Sequence, residues 1–491
     1  MTLVFFYIFL IFFTFLIFKN AYIMWKINKD FTLPISIFFI YYFTLGGALF
    51  FPLDSYLGFI GTSYGFHYLP IFDKLFVVNF DNDYILSCVY YVVFILVFQY
   101  SYLIIVKKLI RSDKINGNET NKLLFELTLN PFVVLLISLT FIAISFFILR
   151  KDIFYAISHE ESIYLITRTT KNPYYTIHQL ANEFSILIPF IAYSFIIIKS
   201  NKFNIKVANK CSTIFILLLT CTLASVYISF LGNRREILSA IVICILISIN
   251  QFKNIYYSRF IYIFMIVLIL FLSNDFVRST YIPAKLNGMF HIKEQKDLIL
   301  KPEEKKDLIL KNNEKYSLKA IVGSFLFSNE LFYAHFSMYG IINKNVPITY
   351  GSSFNNLVAS VIPRAIYHDR PPDIYSYYVK SVNATPGQIY TIHHATAWYL
   401  NFGVIGIFLG AVLLALIFAF ASYFSITTLK NNNVFFVLLK YLFPFLICAQ
   451  IVTFITTGPE GYKSLLLEGI ILPILFIRIC FKKITLKNNE E

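Results

Sequence analysis

The chain has 491 residues, of which 58% are hydrophobic and 14% charged, and its net charge is +15. A soluble globular protein carries about 25% charged residues, so these figures exclude a water-soluble fold. The 55 Phe and 35 Tyr supply apolar surface suited to a bilayer crossed many times, and in such a chain the positive balance speaks to topology, not to nucleic acid.

Residues 2–18 form an apolar run with neither a cationic leader nor a small-residue cleavage site, which predicts a retained first span. Further runs lie at 33–51, 84–106, 132–149, 180–198, 212–231, 236–250, 259–274, 397–424, 434–457 and 464–480, making 11 in all. The expected fold is all-α and polytopic. The segments 19–32, 107–131, 199–211, 251–259, 425–433 and 478–491 hold 19 of the 42 Lys and Arg. The alternate segments 52–83, 150–179, 232–236 and 458–463 hold 8. The positive-inside trend makes the first set cytoplasmic, with the N-terminus outside and the C-terminus inside. Residues 1–274 then hold eight spans, 275–396 form one large outside loop, and 397–491 hold three spans and a tail. All eight histidines (67, 159, 178, 291, 335, 368, 393 and 394) fall outside. The six cysteines lie in or beside apolar runs with no C-x-x-C pair, the pattern of ordinary membrane-helix residues.

Within the large loop, Lys-Asp-Leu-Ile-Leu-Lys occurs at 296–301 and again at 306–311, a duplication that reads as a tolerated expansion. The apolar stretch 318–342 carries Glu330 and His335 and predicts a buried or interfacial helix. Residues 347–396 are rich in Pro, Gly, Ser, Asn and Tyr, and such a stretch folds over a membrane domain or stays mobile.

Several groups on the outside are suited to chemistry. Gly232-Asn233-Arg234-Arg235-Glu236 is a turn whose two guanidinium forks suit phosphate oxygens, or which snorkels to headgroups. Arg364 and Arg370 stand among prolines that stiffen the chain, presenting an anion site or pairing with Asp369 or Asp373. Arg278 lies close to Asp275, where a local ion pair competes with ligand binding. His393 and His394 precede the ninth run, placed for general-base work or phosphate binding or for interfacial packing. Glu460 lies in the turn 458–463, and Glu468 about one helical turn into the last run. A carboxylate inside a membrane segment is costly and points to function, although Lys463 is a possible partner for Glu468. Asp81-Asn82-Asp83 has the D-x-D form that can hold a divalent ion, a short pattern that arises easily by chance. Together these groups suit a substrate with a lipid tail, an anionic diphosphate and sugars.

The plan of about 11 spans with one large late loop resembles that of the Wzy-type O-antigen polymerases of bacterial inner membranes. Three local matches support the resemblance: Gly232-Asn233-Arg234-Arg235, Tyr350-Gly351-Ser352-Ser353-Phe354 leading to Ile362-Pro363-Arg364, and Tyr399-Leu400-Asn401-Phe402-Gly403-Val404-Ile405-Gly406. The resemblance implies a GT-C-like enzyme on the periplasmic face. It would move a glycan from undecaprenyl diphosphate onto a fresh lipid-linked repeat unit, without a metal or other cofactor. Arg234, Arg235 and Arg364, with Arg278 and Arg370, would bind the diphosphate. A carboxylate (Glu460 or Glu468) or His393 or His394 would take the acceptor proton. Implied partners are membrane lipids, a Wzz-type chain-length regulator and a Wzx-type flippase. An O-antigen ligase shares this plan, and a flippase for the lipid-linked repeat is an alternative of another class.

Overall fold

The structure, a computed structural model, describes residues 2–28, 80–116, 124–158, 174–197, 203–206, 210–232, 331–359, 371–382, 392–426 and 458–487, with isolated positions elsewhere. The described chain is mainly helical. The segments Leu3–Lys26, Asn82–Leu109, Pro131–Ser158, Cys211–Phe230 and His394–Tyr423 are long and apolar enough to cross a membrane.

Helix α1 (Thr2–Asn28) lies parallel to α2 (Asn82–Asn116). The pairing is fixed at two levels: Phe6 packs on Phe80 and Tyr84, and Asn20 Nδ2 donates to Gln99 Oε1 at 3.1 Å. Gln99 Nε2 in turn donates to the Ile17 carbonyl at 3.0 Å. Buried amides have no water to turn to, so each makes its bonds with the neighbouring helix. Asp81 starts α2 by accepting the Tyr84 N–H at 2.9 Å, the role of an N-cap carboxylate.

Three further helices pack together, α3 (Pro131–Ser158), α4 (Tyr175–Ile197) and α5 (Lys210–Phe230). Antiparallel α3 and α4 are joined by Ser138 Oγ donating to the Ser185 carbonyl at 2.6 Å. Two helical turns higher, Ser145 meets His178, Asn182 and Tyr227.

The fold is mainly helical, as expected, and a three-stranded sheet joins the helices. Strand β1 (Leu124–Leu129) runs parallel to β2 (Phe203–Lys206) and antiparallel to β3 (Phe481–Lys487). Phe125 faces Phe203 on one side and Leu486 on the other. The sheet gathers the start of α3, the end of α4, the start of α5 and the end of the last helix at one end of the molecule. All three strands come from segments that the charge pattern groups on one side. The opposite, distal end holds the starts of α1 and α2.

The large loop is not all surface. Within it, α6 (Leu331–Asn343) is buried from Ala334 to Ile341 and rises antiparallel to α2. Its end is tied to the start of α2 by Tyr339 Oη donating to Asp81 Oδ2 at 3.0 Å and Asn343 Nδ2 to Asp83 Oδ2 at 3.1 Å. The short helix α7 (Ile374–Ser381) is capped by Asp373, which accepts the Ser376 N–H at 2.7 Å.

The ninth apolar run is not one straight crossing. Helix α8 (His394–Ile426) is interrupted at Phe402 and Gly403, the latter at φ 61° and ψ −145°. We divide it into α8a (residues 394–401) and α8b (residues 404–426). In α8b, Phe418 packs on Phe98 and Ser422 accepts from Tyr102. At 1.5 Å rise per residue, this register sets Gly403 near the level of Asp83. In α8a the order is reversed. His393 packs on Tyr91 and His394 on Phe94, about 12 Å deeper along α2. The chain therefore starts inside the bundle, climbs to the distal end, turns, and descends. Trp398 confirms the fold-back: its indole and carbonyl lie directly against Gly410 and Gly406, residues that a continuous helix would hold more than 10 Å away.

The last helical stretch begins at Gly458–Glu460 as a 3-10 turn, passes through a π-helical segment Ser464–Ile471, and ends in α9 (Leu472–Cys480). Phe476 of α9 packs on Phe141 and Phe184.

Candidate functional site

The re-entrant hairpin of α8 sets polar side chains inside an apolar bundle, and they meet there in a defined order. His393 is the N-cap of α8a. Its Nδ1 accepts the Ala395 N–H at 3.0 Å, and its own N–H donates to Ser337 Oγ at 3.0 Å. His394, the first helical residue, accepts the Trp398 indole N–H on Nε2 at 3.2 Å, with Tyr462 Oη also at 3.0 Å. Backbone and indole N–H groups only donate. In the neutral rings the proton is therefore on Nε2 of His393 and on Nδ1 of His394.

The third histidine, His335 on α6, is fixed likewise. Its Nδ1 faces the Thr44 carbonyl and its Nε2 the Tyr84 hydroxyl at 3.1 Å. A carbonyl only accepts, so Nδ1 carries the proton and Tyr84 donates. Tyr91 completes the wall, donating to the His335 carbonyl at 2.6 Å and lying 3.1 Å from Thr396 Oγ1. Burial pushes His335 down to about 4. Burial lowers His393 as well, with the neighbouring His394 and His335 adding to the effect. His335 and His393 are therefore neutral near pH 7, because a charged imidazole without a counter-charge is too costly in such a place.

Two buried side-chain atoms of this cluster have no hydrogen-bond partner among the described residues: His393 Nε2 and Thr44 Oγ1. Above the cluster, Asn401 holds the hairpin to the loop, its Oδ1 accepting from Thr349 Oγ1 at 2.7 Å and Ser353 Oγ at 2.8 Å. A cavity of about 310 Å³ opens beside it, lined by Ile341, Val346, Ile348, Leu400 and Tyr399 among others. Tyr399 leans on Tyr90, ring centres 5.3 Å apart.

The structure brings together three of the eight sequence-noted histidines, two of them candidate residues. It gives Asp81 and Asp83 structural partners, a helix cap and two ties to α6. Among the described residues no group of three His, Cys, Asp or Glu side chains is placed to hold a metal. Arg234, Arg235, Arg278, Arg364 and Arg370 lie outside the described residues. Glu460 and Glu468 are described in backbone only, at the end of the 3-10 turn and within the π-helical segment. Sequence reasoning missed Tyr84, Tyr91 and Ser337. The tyrosines carry a detectable signal: 84 and 91 share a helix face seven residues apart, with hydroxyls inside an apolar run.

Fold and site together define a helical membrane-type protein with a re-entrant half-helix that carries polar groups into its interior. No family model, no curated protein and no solved structure matches the chain.

Proposed function

We propose that the chain is a membrane glycosyltransferase that joins undecaprenyl-diphosphate-linked oligosaccharide repeat units on the periplasmic face of the bacterial inner membrane, an O-antigen polymerase of the Wzy type. The observation that carries this reading is the half-helix α8a. An apolar bundle that uses a helix break to bury His393, His394 and Thr396, with Trp398 half-buried beside them, suits a polar substrate entering between helices. Breakage of the bond between the sugar and the diphosphate leaves charge on the departing phosphate, and preformed N–H donors stabilise it. Arg234, Arg235 and Arg364 are the cationic members of that set, with Arg278 and Arg370 as further candidates. His393 and His394 already use one nitrogen of each ring as acceptor, so Glu460 or Glu468 is the better recipient of the acceptor hydroxyl proton.

Discontinuous helices with inward polar ends also occur in transporters, and this geometry favours a flippase as the second reading. A lipopolysaccharide ladder gel of a deletion strain separates the two. Loss of a polymerase leaves single-repeat caps on the core, and loss of a flippase leaves none. Transfer of glycan to purified lipid A-core would instead mark a ligase. Complementation with Arg234→Ala, Arg235→Ala, Arg364→Ala and His394→Ala tests the site. Unchanged long-chain polymer from all four variants would remove the mechanism.

A further inference from the structure

Among the described residues, His393 is a donor with nothing to donate to. Its ring is 1% exposed, its Nδ1 is occupied as the cap of α8a, and its Nε2–H has no acceptor among the described residues. A buried N–H left unpaired is costly, and native proteins keep such a group where something else completes it. The surroundings define what that is. The eight-residue helix α8a begins here, so its positive dipole end and leading peptide N–H groups lie beside the same ring. The described neighbours of the ring, Tyr91, Phe94, Ser337, His335 and His394, carry no negative charge. A neutral donor at a helix N-terminus, enclosed and with no acidic side chain among its described neighbours, is an environment in which an anionic oxygen is held by hydrogen bonds alone.

We propose that the N-terminus of α8a receives a phosphoryl oxygen inside the bundle and that the His393 Nε2–H fixes it. The choice of a polyprenyl diphosphate as the source rests on the polymerase reading, whereas the anion site itself rests on the geometry. This gives His393 a binding role in place of proton abstraction, and sets one phosphate contact about 12 Å below the distal rim, where an arginine at the membrane boundary does not substitute for it.

The test uses the full chain in phosphatidylcholine nanodiscs, with His393→Asn as the variant. Asparagine keeps the N-cap acceptor but is too short to place a donor where Nε2 lies. Three probes are titrated: undecaprenyl diphosphate, undecaprenol and inorganic pyrophosphate. The expected result is a roughly ten- to hundredfold loss of undecaprenyl diphosphate affinity in a variant that melts and elutes like the wild type, with undecaprenol binding unmoved. Pyrophosphate bound as tightly as the lipid, and lost in the variant, also supports the site and assigns it to a free anion. Equal diphosphate affinity in the folded variant overturns the proposal. So does wild-type protein that binds undecaprenol as well as it binds the diphosphate, since Nε2 would then hold only a water. If His393→Asn does not fold, the Nε2–H proton resonance of ¹⁵N-histidine wild type serves instead: a downfield shift on adding the diphosphate is expected, and a static signal overturns the idea. The two readings fail separately. Retained affinity in His393→Asn removes this site and leaves the polymerase standing, whereas a normal ladder in the deletion strain removes the polymerase and leaves the anion site standing.

Discussion

Ser145 has one proton and three partners, and that arithmetic fixes the direction of every bond around it. Asn182 Oδ1, at 2.7 Å, only accepts, so Ser145 donates there. His178 Nδ1 at 2.9 Å and Tyr227 Oη at 2.6 Å must then donate to Ser145. The free lone pair of His178 is on Nε2, where Asn182 Nδ2 reaches it at 3.2 Å. Replacing Ser145 with Ala removes the shared partner of a hydroxyl, an imidazole and an amide oxygen at once, and a buried polar group left unsatisfied costs about 1–3 kcal/mol. Thermal unfolding in detergent should show a clear drop in midpoint for Ser145→Ala, and Ser145→Thr, which keeps the hydroxyl, should recover part of it. His335 makes a second prediction at this scale. Its folded pKa is about 4, against about 6.5 in an unfolded chain. The unfolded state binds the proton first, so the contribution is whole above pH 6.5 and is lost as pH falls toward 4, by about 3 kcal/mol in total. The melting midpoint should fall across that window, and His335→Gln should flatten the slope. A midpoint that stays constant from pH 7 to 4.5 in the wild type would contradict the buried neutral ring. Neither cluster was legible in the sequence beyond the histidines themselves, because the partners of His335 lie on other elements: Thr44 is 291 residues distant and Tyr84 251.

The helices that sequence reasoning located best are those whose signal is local. The run at 84–106 stands inside α2, and the Asp81 that starts it sits where a cap belongs. The same residue belongs to a D-x-D spacing that is common to metal loops and to capped helices, and here Asp81 serves as the cap. The break in α8 is invisible to hydropathy, because Gly403 lies in an apolar stretch read as one span over 397–424. Only a polar Asn401 beside a glycine hints at a turn, and its meaning depends on Thr349 and Ser353 arriving from the loop. The sheet is hidden for a related reason. Strands of four to seven residues give too short an alternation to read, and β1 and β3 pair across more than 350 residues. The hairpin itself makes a prediction. Gly403, at φ 61° and ψ −145°, occupies backbone space that costs a side-chain-bearing residue about 1–3 kcal/mol, and an added Cβ would also press on Ile348 at 3.0 Å. Gly403→Ala should therefore lower the melting midpoint and, by displacing α8a, reduce long-chain polymer in the complementation assay. Full polymer from a destabilised variant would mean that the position of α8a does not matter to the reaction.

At the scale of the whole molecule, charge and geometry speak to the same question by independent routes. The count of Lys and Arg sorts the loops into two sets, while the sheet ties three members of one set together at one end and the Asp81, Asp83 and Asn343 contacts gather members of the other at the opposite end. Loops on both faces of a bilayer could not pair as strands of one sheet, so in a membrane-spanning chain these three segments share one face. Which side faces out of the cell follows only from the charge rule, and chemical labelling decides it. Cys211 is exposed at the start of α5, at the sheet end, and Val358, 76% exposed, stands near the distal end on the loop above α8a. In intact cells an impermeant maleimide should label a Val358→Cys variant, and should reach Cys211 only after permeabilisation, the other cysteines being replaced by serine or alanine. Labelling of Cys211 alone in intact cells would turn the molecule over. The half-helix would then open toward the cytosol, where nucleotide-activated sugars are available and a lipid-linked donor is no longer required. The orientation and the choice of donor therefore stand or fall together.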